Sequence, residues 1–253
     1  AWIGAVSGKT GEWLGDLALS YQDVRLGDLR LGAYPMGGAD CLLARGLTAS
    51  SISRIVAAVA VYQDGALKDL FADRALFGLC YDLSFADGPV VELTLENGAA
   101  YRIVPDGRLY LENGWIDEAG KLQPSLGNGF DENTGFANLE PLVSKGELVL
   151  MGEQSILGAH KLDTLATLKT AWRYDGQGWT AEAVLVPAQG ASVAPEFLHA
   201  LYYNPDGGIM FHLDFACPTV NAKYLPLERM EEGSKSAALL KPCAHCAYLY
   251  VSP

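Results

Sequence analysis

The sequence predicts a mainly β protein: antiparallel sheets of meander, sandwich or barrel-like form, with one or two short helices. The first observation is turn chemistry, because Asp-Gly and Asn-Gly pairs accept the positive φ angles of tight hairpins. These pairs begin at Asp64, Asp87, Asn97, Asp106, Asn113, Asn128, Asp175 and Asp206. The second is a period of two in the segments between them. The third is spacing, since the intervals between residues 87 and 113 leave no room for crossover helices.

The first 75 residues give a mixed signal. The hexapeptide pattern Leu-Gly-Asp-Leu-x-Leu occurs at Leu14–Leu19 and again at Leu26–Leu31, which predicts two equivalent strand–turn units. Residues 49–74 fit either a helix capped near Ser50 or a buried strand that runs into the turn at Asp64. Ala66–Phe71 is predicted to form a short helix.

Residues 76–116 predict a β-meander. Val91, Leu93 and Leu95 alternate with polar residues, as expected for a strand with one face in solvent. The segment Arg108–Glu112 shows a similar alternation and is predicted to be a further strand of this meander.

The C-terminal half repeats this pattern after a break. Gly, Pro and Asn dominate residues 120–135, which predicts a long loop or junction between two β-rich halves, 1–119 and 136–253, or a loop within one continuous domain. Strands are predicted within 146–152, 169–187 and 207–218, with a final strand at 246–253. Pro195–Tyr202 is predicted to be helical, and residues 229–241 to form a surface excursion.

Charge excludes two classes of partner. The chain carries 18 Lys and Arg against 30 Asp and Glu, for a formal charge of −12. Proteins that bind nucleic acid or anionic membranes present basic surfaces, so we expect neither partner. The longest apolar run, Ile55–Tyr62, is shorter than the roughly 20 residues of a spanning helix, so we expect no membrane insertion.

The cysteines are odd in number and widely spaced, which favours a reducing cytoplasm over an oxidising compartment. They are Cys41, Cys80, Cys217, Cys243 and Cys246. The main expectation is that they are packed free thiols and that the protein has no cofactor.

One tetrapeptide suggests an alternative. Cys243-Ala-His-Cys246 has the spacing of a zinc knuckle, and Cys217 and His212 could complete a set of four ligands. Zinc would then tie the last strand to the strand that carries His212. A redox dithiol fits less well, because no following helix is available to lower a thiol pKa.

Two further groups of residues are candidates for a functional site. His212 and Asp214 share one face of a predicted strand and, with His245, could form the two-His, one-carboxylate set of a non-haem iron enzyme. Trp172, Tyr174 and Trp179 flank the Asp175 turn, where they could stack on a glycan or anchor a receptor. Cross-strand pairing that only stabilises the hairpin is the simpler interpretation of these aromatic residues.

No catalytic template fits fully, so the sequence favours a non-catalytic structural or assembly protein that contacts copies of itself or other subunits. A particle or bacteriophage virion subunit is one concrete form of this expectation. The alternatives are a glycan- or receptor-binding module and a zinc or iron enzyme on a β scaffold.

Overall fold

The computed structural model describes residues 2–18, 28–49, 54–127, 133–194, 200–230 and 239–246. Within these ranges the protein is mainly β, with several antiparallel sheets, one α-helix and two short 3-10 turns, and no sheet closes into a barrel. No helix in the described ranges is long and apolar enough to cross a membrane.

The chain forms two compact units. Unit 1 comprises residues 1–79, 134–154 and 170–182, and unit 2 comprises residues 80–133, 155–169 and 183–253.

Unit 1 begins with a hairpin, in which β1 (Trp2–Val6) pairs antiparallel with β2 (Trp13–Ala18). A four-stranded antiparallel meander follows in chain order. Its strands are β3 (Arg30–Met36), β4 (Ala39–Leu47), β5 (Ile55–Gln63) and β6 (Ala66–Asp69). The first copy of the hexapeptide pattern thus lies on β2 as far as Ala18, whereas the second begins outside the described residues and ends on β3 at Arg30 and Leu31.

The helix predicted for Ala66–Phe71 is wrong, and the ambiguous segment before it is a strand. Asp64 (φ 54°) and Gly65 (φ 80°) form a two-residue turn with both φ angles positive, and Gln63 pairs with Ala66 directly across it. Such a turn directs the chain straight back along β5, so Ala66–Asp69 continues as its antiparallel partner.

A second four-stranded sheet has its strands in chain order. They are β10 (Asn138–Ser144), β11 (Glu147–Leu157), β12 (Thr164–Tyr174) and β13 (Trp179–Pro187).

The core of unit 1 is aromatic. Phe71 meets Trp172 and Trp179 edge to face at 5.8 and 5.1 Å between ring centroids, and Phe136 lies 6.2 Å from Phe71. The buried Gln154 side chain accepts the Leu79 backbone N–H at 2.8 Å.

Unit 2 contains the predicted meander in shortened form. Its sheet has the order β14-β9-β8-β7, with β7 (Tyr81–Ala86), β8 (Val90–Leu95), β9 (Ala100–Val104) and β14 (Ser192–Val193). The alternation on β8 is confirmed, since Val91, Leu93 and Leu95 are all buried.

The strand predicted at Arg108–Glu112 is wrong, because this segment is helix α1 (Gly107–Glu112). Asp106 does not close a hairpin. Its side chain accepts the Arg108 N–H and caps the helix. The buried residue is also not one of the leucines, because Leu109 and Leu111 are exposed and Tyr110 is buried. The Tyr110 hydroxyl donates a hydrogen bond to Asp163 at 2.7 Å.

The last sheet consists of very short strands in the order β17-β15-β16-β18. They are β15 (Leu201–Tyr203), β16 (Met210–His212), β17 (Glu228–Met230) and β18 (Lys241–Pro242). Strand β16 pairs antiparallel with β15 and parallel with β18. One 3-10 turn, Ala222–Tyr224, lies between β16 and β17, and the other, Pro124–Leu126, lies in the predicted 120–135 loop.

Three predictions in the C-terminal half fall partly or wholly outside the described residues. The helix at Pro195–Tyr202 overlaps the strand Leu201–Tyr203, while 195–199 are not described. The predicted excursion at 229–241 begins on strand β17, and 231–238 are not described. Nearly all of the final strand predicted at 246–253 lies outside the described residues.

Candidate metal centre

The parallel pairing of β16 with β18 brings together side chains that are distant in the chain. Met210 lies opposite Lys241 and Phe211 opposite Pro242, and the Cys243 N–H donates to the Phe211 carbonyl at 2.9 Å. His212, the last residue of β16, therefore lies at the level where the chain leaves β18 for the Cys243–Cys246 turn.

His212, Cys217, Cys243 and Cys246 form a cluster that we call the Cys3His cluster. Their ligand atoms all lie within 4.8 Å of one another. The Cys246 Sγ is 3.6 Å from the Cys217 Sγ and 3.9 Å from the His212 Nδ1. In tetrahedral zinc sites, bond lengths of about 2.3 Å to sulfur and 2.0–2.1 Å to nitrogen give edges of about 3.8 Å between sulfurs and 3.6 Å between sulfur and nitrogen. The two distances from the Cys246 Sγ lie close to these edges, and the 4.8 Å limit for the whole set is about 1 Å longer.

The surroundings of the cluster are apolar. All four residues are buried, and Leu213 is packed with the three cysteines, with Val186, Leu201 and Val220 against them. A bound zinc ion would displace the protons of the three thiols and offset two of the three thiolate charges, while the histidine would bind through a ring nitrogen as neutral imidazole.

Hydrogen bonds favour the thiolate at one ligand. Burial by itself would raise the pKa of the Cys243 thiol, but hydrogen bonds from the Thr219 hydroxyl and from the backbone of Cys246 and His245 bring it below its ordinary value. Backbone N–H groups that point at the first sulfur of a C-x₂-C turn stabilise negative charge there.

The other two shifted ligands stay neutral without a cation. Burial raises the pKa of the Cys246 thiol to about 12, and the neighbouring Cys217 adds to this effect. Burial also lowers the pKa of His212, against the opposing charge of Asp214, so its imidazole is held in the neutral form that binds metals.

The iron set suggested by the sequence is not what the structure assembles. Strand β16 ends at His212, so Asp214 lies beyond it in the following turn. The Asp214 carboxylate binds Lys169 Nζ at 2.5 Å and accepts the Ala216 N–H at 2.8 Å. His245 is exposed, and neither residue belongs to the cluster.

The aromatic trio is also placed differently from a glycan-binding surface. Trp172 is 1 % exposed and Trp179 9 % exposed, because both rings pack on Phe71 in the core of unit 1. Tyr174 is half-buried, and its ring lies tilted at 5.7 Å from that of Trp179. Two of the three rings therefore lack a free face on which a sugar could stack.

Sequence reasoning missed Thr219, which contacts the cluster, and Lys169, which binds Asp214. The Thr219 hydroxyl lies 3.1 Å from the Cys217 Sγ and 3.5 Å from the Cys243 Sγ. Lys169, the partner of Asp214, lies 45 residues away in the chain. The only sequence signal for Thr219 is its position two residues after Cys217, and nothing local points to Lys169.

Comparison with known proteins reaches only part of the chain. The family model described as the YybI C-terminal domain matches residues 79–186, which are less than half of the chain. The chain is similar to that family over this segment, and the Cys3His cluster lies outside it. No curated protein and no solved structure matches the chain.

Proposed function

We propose that this chain is a non-catalytic structural protein in which one zinc ion, held by His212, Cys217, Cys243 and Cys246, fastens the short-stranded sheet of unit 2. The single observation that carries the proposal is the convergence of four buried ligand atoms within 4.8 Å of one another. Catalytic zinc sites keep one coordination position for water or substrate, whereas structural sites take all four ligands from the protein. A Cys3His set with an apolar surround is of the second kind.

The small apolar core around the cluster supports a fastening role. Three of the four buried residues in that core are the cysteines themselves. The strands that meet there are two or three residues long, so they form few ladder hydrogen bonds. Sheets of this size have little stability of their own. A metal ion that joins β16 to the turn after β18 would act as a stabilising cross-link.

Metal analysis of protein purified without added metal tests the proposal. We expect one zinc per chain, lost in His212→Ala and Cys246→Ser. Cys41→Ser is the matched control, because Cys41 is also buried but lies on β4, and it should keep the full zinc content. A chain without zinc, or a Cys246→Ser chain that retains it, would overturn the proposal.

Cobalt substitution separates a structural from a catalytic site. The cobalt-loaded protein should show the intense absorption of a tetrahedral thiolate complex, and added azide should leave that spectrum unchanged. A shift on adding azide would reveal an open coordination position and would refute the non-catalytic assignment.

Assembly with a second copy of the chain is a further candidate function, favoured by the first hairpin. Trp2 is 71 % exposed and Trp13 60 % exposed. Val6 lies opposite Trp13, and the Trp13 ring lies over Gly4, so these side chains share one face of the hairpin. Exposed tryptophans on one face are typical of protein interfaces.

Native mass spectrometry tests this second candidate. We expect a dimer or larger species that becomes a monomer in Trp2→Ser/Trp13→Ser, while the exposed Leu162→Ser serves as the control. A wild-type chain that is monomeric at all concentrations would refute self-assembly through this face.

A further inference from the structure

A threonine hydroxyl contacts two of the four ligands of the Cys3His cluster. Thr219 Oγ1 lies 3.1 Å from the Cys217 Sγ and 3.5 Å from the Cys243 Sγ. These two cysteines lie on separate segments of the chain, one in the turn after β16 and the other after β18. Thr219 is an exposed residue, whereas both cysteines are buried.

We infer that Thr219 is a positioning residue of the metal centre, whose hydroxyl holds the Cys217 and Cys243 sulfurs at the separation that a tetrahedral zinc ion requires. This inference rests on the proposed zinc site and names a residue that sets its affinity. A hydroxyl has one hydrogen to donate and two lone pairs, so it can donate to one sulfur while the other sulfur remains in contact.

The backbone around Thr219 fixes the hydroxyl in place. The Cys217 N–H donates to the Asp214 carbonyl at 3.2 Å, and the Val220 N–H donates to the Cys217 carbonyl at 3.0 Å. These two consecutive turns place residue 219 beside the sulfur of residue 217. The contact to Cys243 is the non-local one, because it connects this turn to the segment after β18.

Hydrogen-bond donors in the outer shell of a metal site orient the ligands and disperse their charge. Removal of such a partner typically costs 10- to 100-fold in metal affinity. The same range is expected for Thr219, since it contacts two of the four ligands. The four ligands themselves remain in the variant, so metal should still bind with the same stoichiometry.

Two substitutions separate the hydroxyl from the shape of the side chain. Thr219→Val keeps the branched shape and removes the hydroxyl, whereas Thr219→Ser keeps the hydroxyl and removes a methyl group. Zinc affinity is measured on the full chain by competition with a chromophoric chelator, and circular dichroism of the metal-free proteins reports whether the fold is retained.

We expect Thr219→Val to bind one zinc with 10- to 100-fold weaker affinity and Thr219→Ser to bind within about threefold of the wild type. The cobalt complex of the Val variant should also show a shifted thiolate absorption, which a purely structural role would not produce. Equal affinity of the Val variant and the wild type, or equal losses in both variants, would overturn the inference and leave the zinc site intact. A wild-type chain that binds no zinc would overturn both.

Discussion

If the proposed zinc is bound, its removal is expected to destabilise one part of the chain much more than the rest. Cys217 and Cys243 are 26 residues apart, and a bound metal closes this segment into a loop. In the chain-entropy description of cross-links, closing a loop of this length changes the free energy of unfolding by about 3.5 kcal/mol. For a chain of this size, the loss corresponds to roughly 7–14 °C in melting temperature if the whole protein unfolds cooperatively.

Hydrogen exchange measured by mass spectrometry shows where that stability resides. In metal-free protein we expect faster exchange at the Lys241 and Cys243 amides, whose acceptors are the carbonyls of Ile209 and Phe211. These bonds join β16 to β18 and its following turn, which the proposed metal would also connect. Peptides from β8 should exchange at unchanged rates, because their buried side chains lie in a different sheet.

Two results would refute this reasoning. If the amides of Lys241 and Cys243 keep their protection in the metal-free chain, the short strands are stable without a metal ion and the metal does not stabilise their pairing. If β8 loses protection to the same extent, the effect is global and the loop-closure estimate does not describe it. Cys41→Ser treated with the same chelator is the control for effects of the chelator and of losing a buried thiol.

Three further predictions test the remaining assignments. Trp172→Ala should reduce the free energy of unfolding by about 3–5 kcal/mol in urea titrations, because it leaves a cavity in the core of unit 1. Tyr174→Ala should reduce it by about 1 kcal/mol or less. Equal small effects of the two variants would contradict the buried position of Trp172. Lys169→Met should reduce the free energy of unfolding by about 3–5 kcal/mol, because it removes the ion-pair partner of the buried Asp214 carboxylate. The double variant Lys169→Met/Asp214→Leu should recover most of this stability. Additive losses in the double variant would show that the two residues are not coupled. Burial raises the pKa of Asp69 in the folded state above the value near 3.8 that it has in the unfolded chain. Protonation of Asp69 therefore stabilises the folded state at low pH, and this stabilisation is lost as the pH rises through the folded-state pKa. Asp69→Asn should therefore be more stable than the wild type at neutral pH and lack this pH dependence, and a less stable Asn variant at pH 7 would refute the direction of the shift.

Local turn chemistry was readable from the sequence alone. The pairs at Asp64, Asp87, Asn97, Asp175 and Asp206 all lie between consecutive strands of the structure. Asp64 and Gly65 both take positive φ angles, and at the other four pairs the glycine does. Such turns depend on the residues within them, so no distant contact is needed to predict them. The mainly antiparallel fold follows from these turns together with the alternation between them.

The Arg108–Glu112 segment shows where local patterns fail. Five residues that alternate Leu with Arg, Tyr and Glu fit a strand or a helix equally well. Burial of Tyr110 and its hydrogen bond to Asp163, 53 residues further on, accompany the helical conformation. Asp106 also stabilises the helix as its N-terminal cap, although the pair Asp106-Gly107 predicts a hairpin turn from the sequence.

The proposed metal ligands show what the sequence can and cannot predict. The residue types and the C-x₂-C spacing were visible in the sequence, and they named the same four residues that the structure brings together. Their convergence, however, depends on the parallel pairing of β16 with β18, and Thr219 could not be identified without that pairing. The burial of Trp172 depends in the same way on Phe71 and Phe136. Most of the turns and the alternation on β8 could be predicted from the sequence, and so could the residue types of the ligand set, because these features depend on neighbouring residues. Which side chains meet and which are buried depends on contacts between segments far apart in the chain, and these are visible in the folded structure.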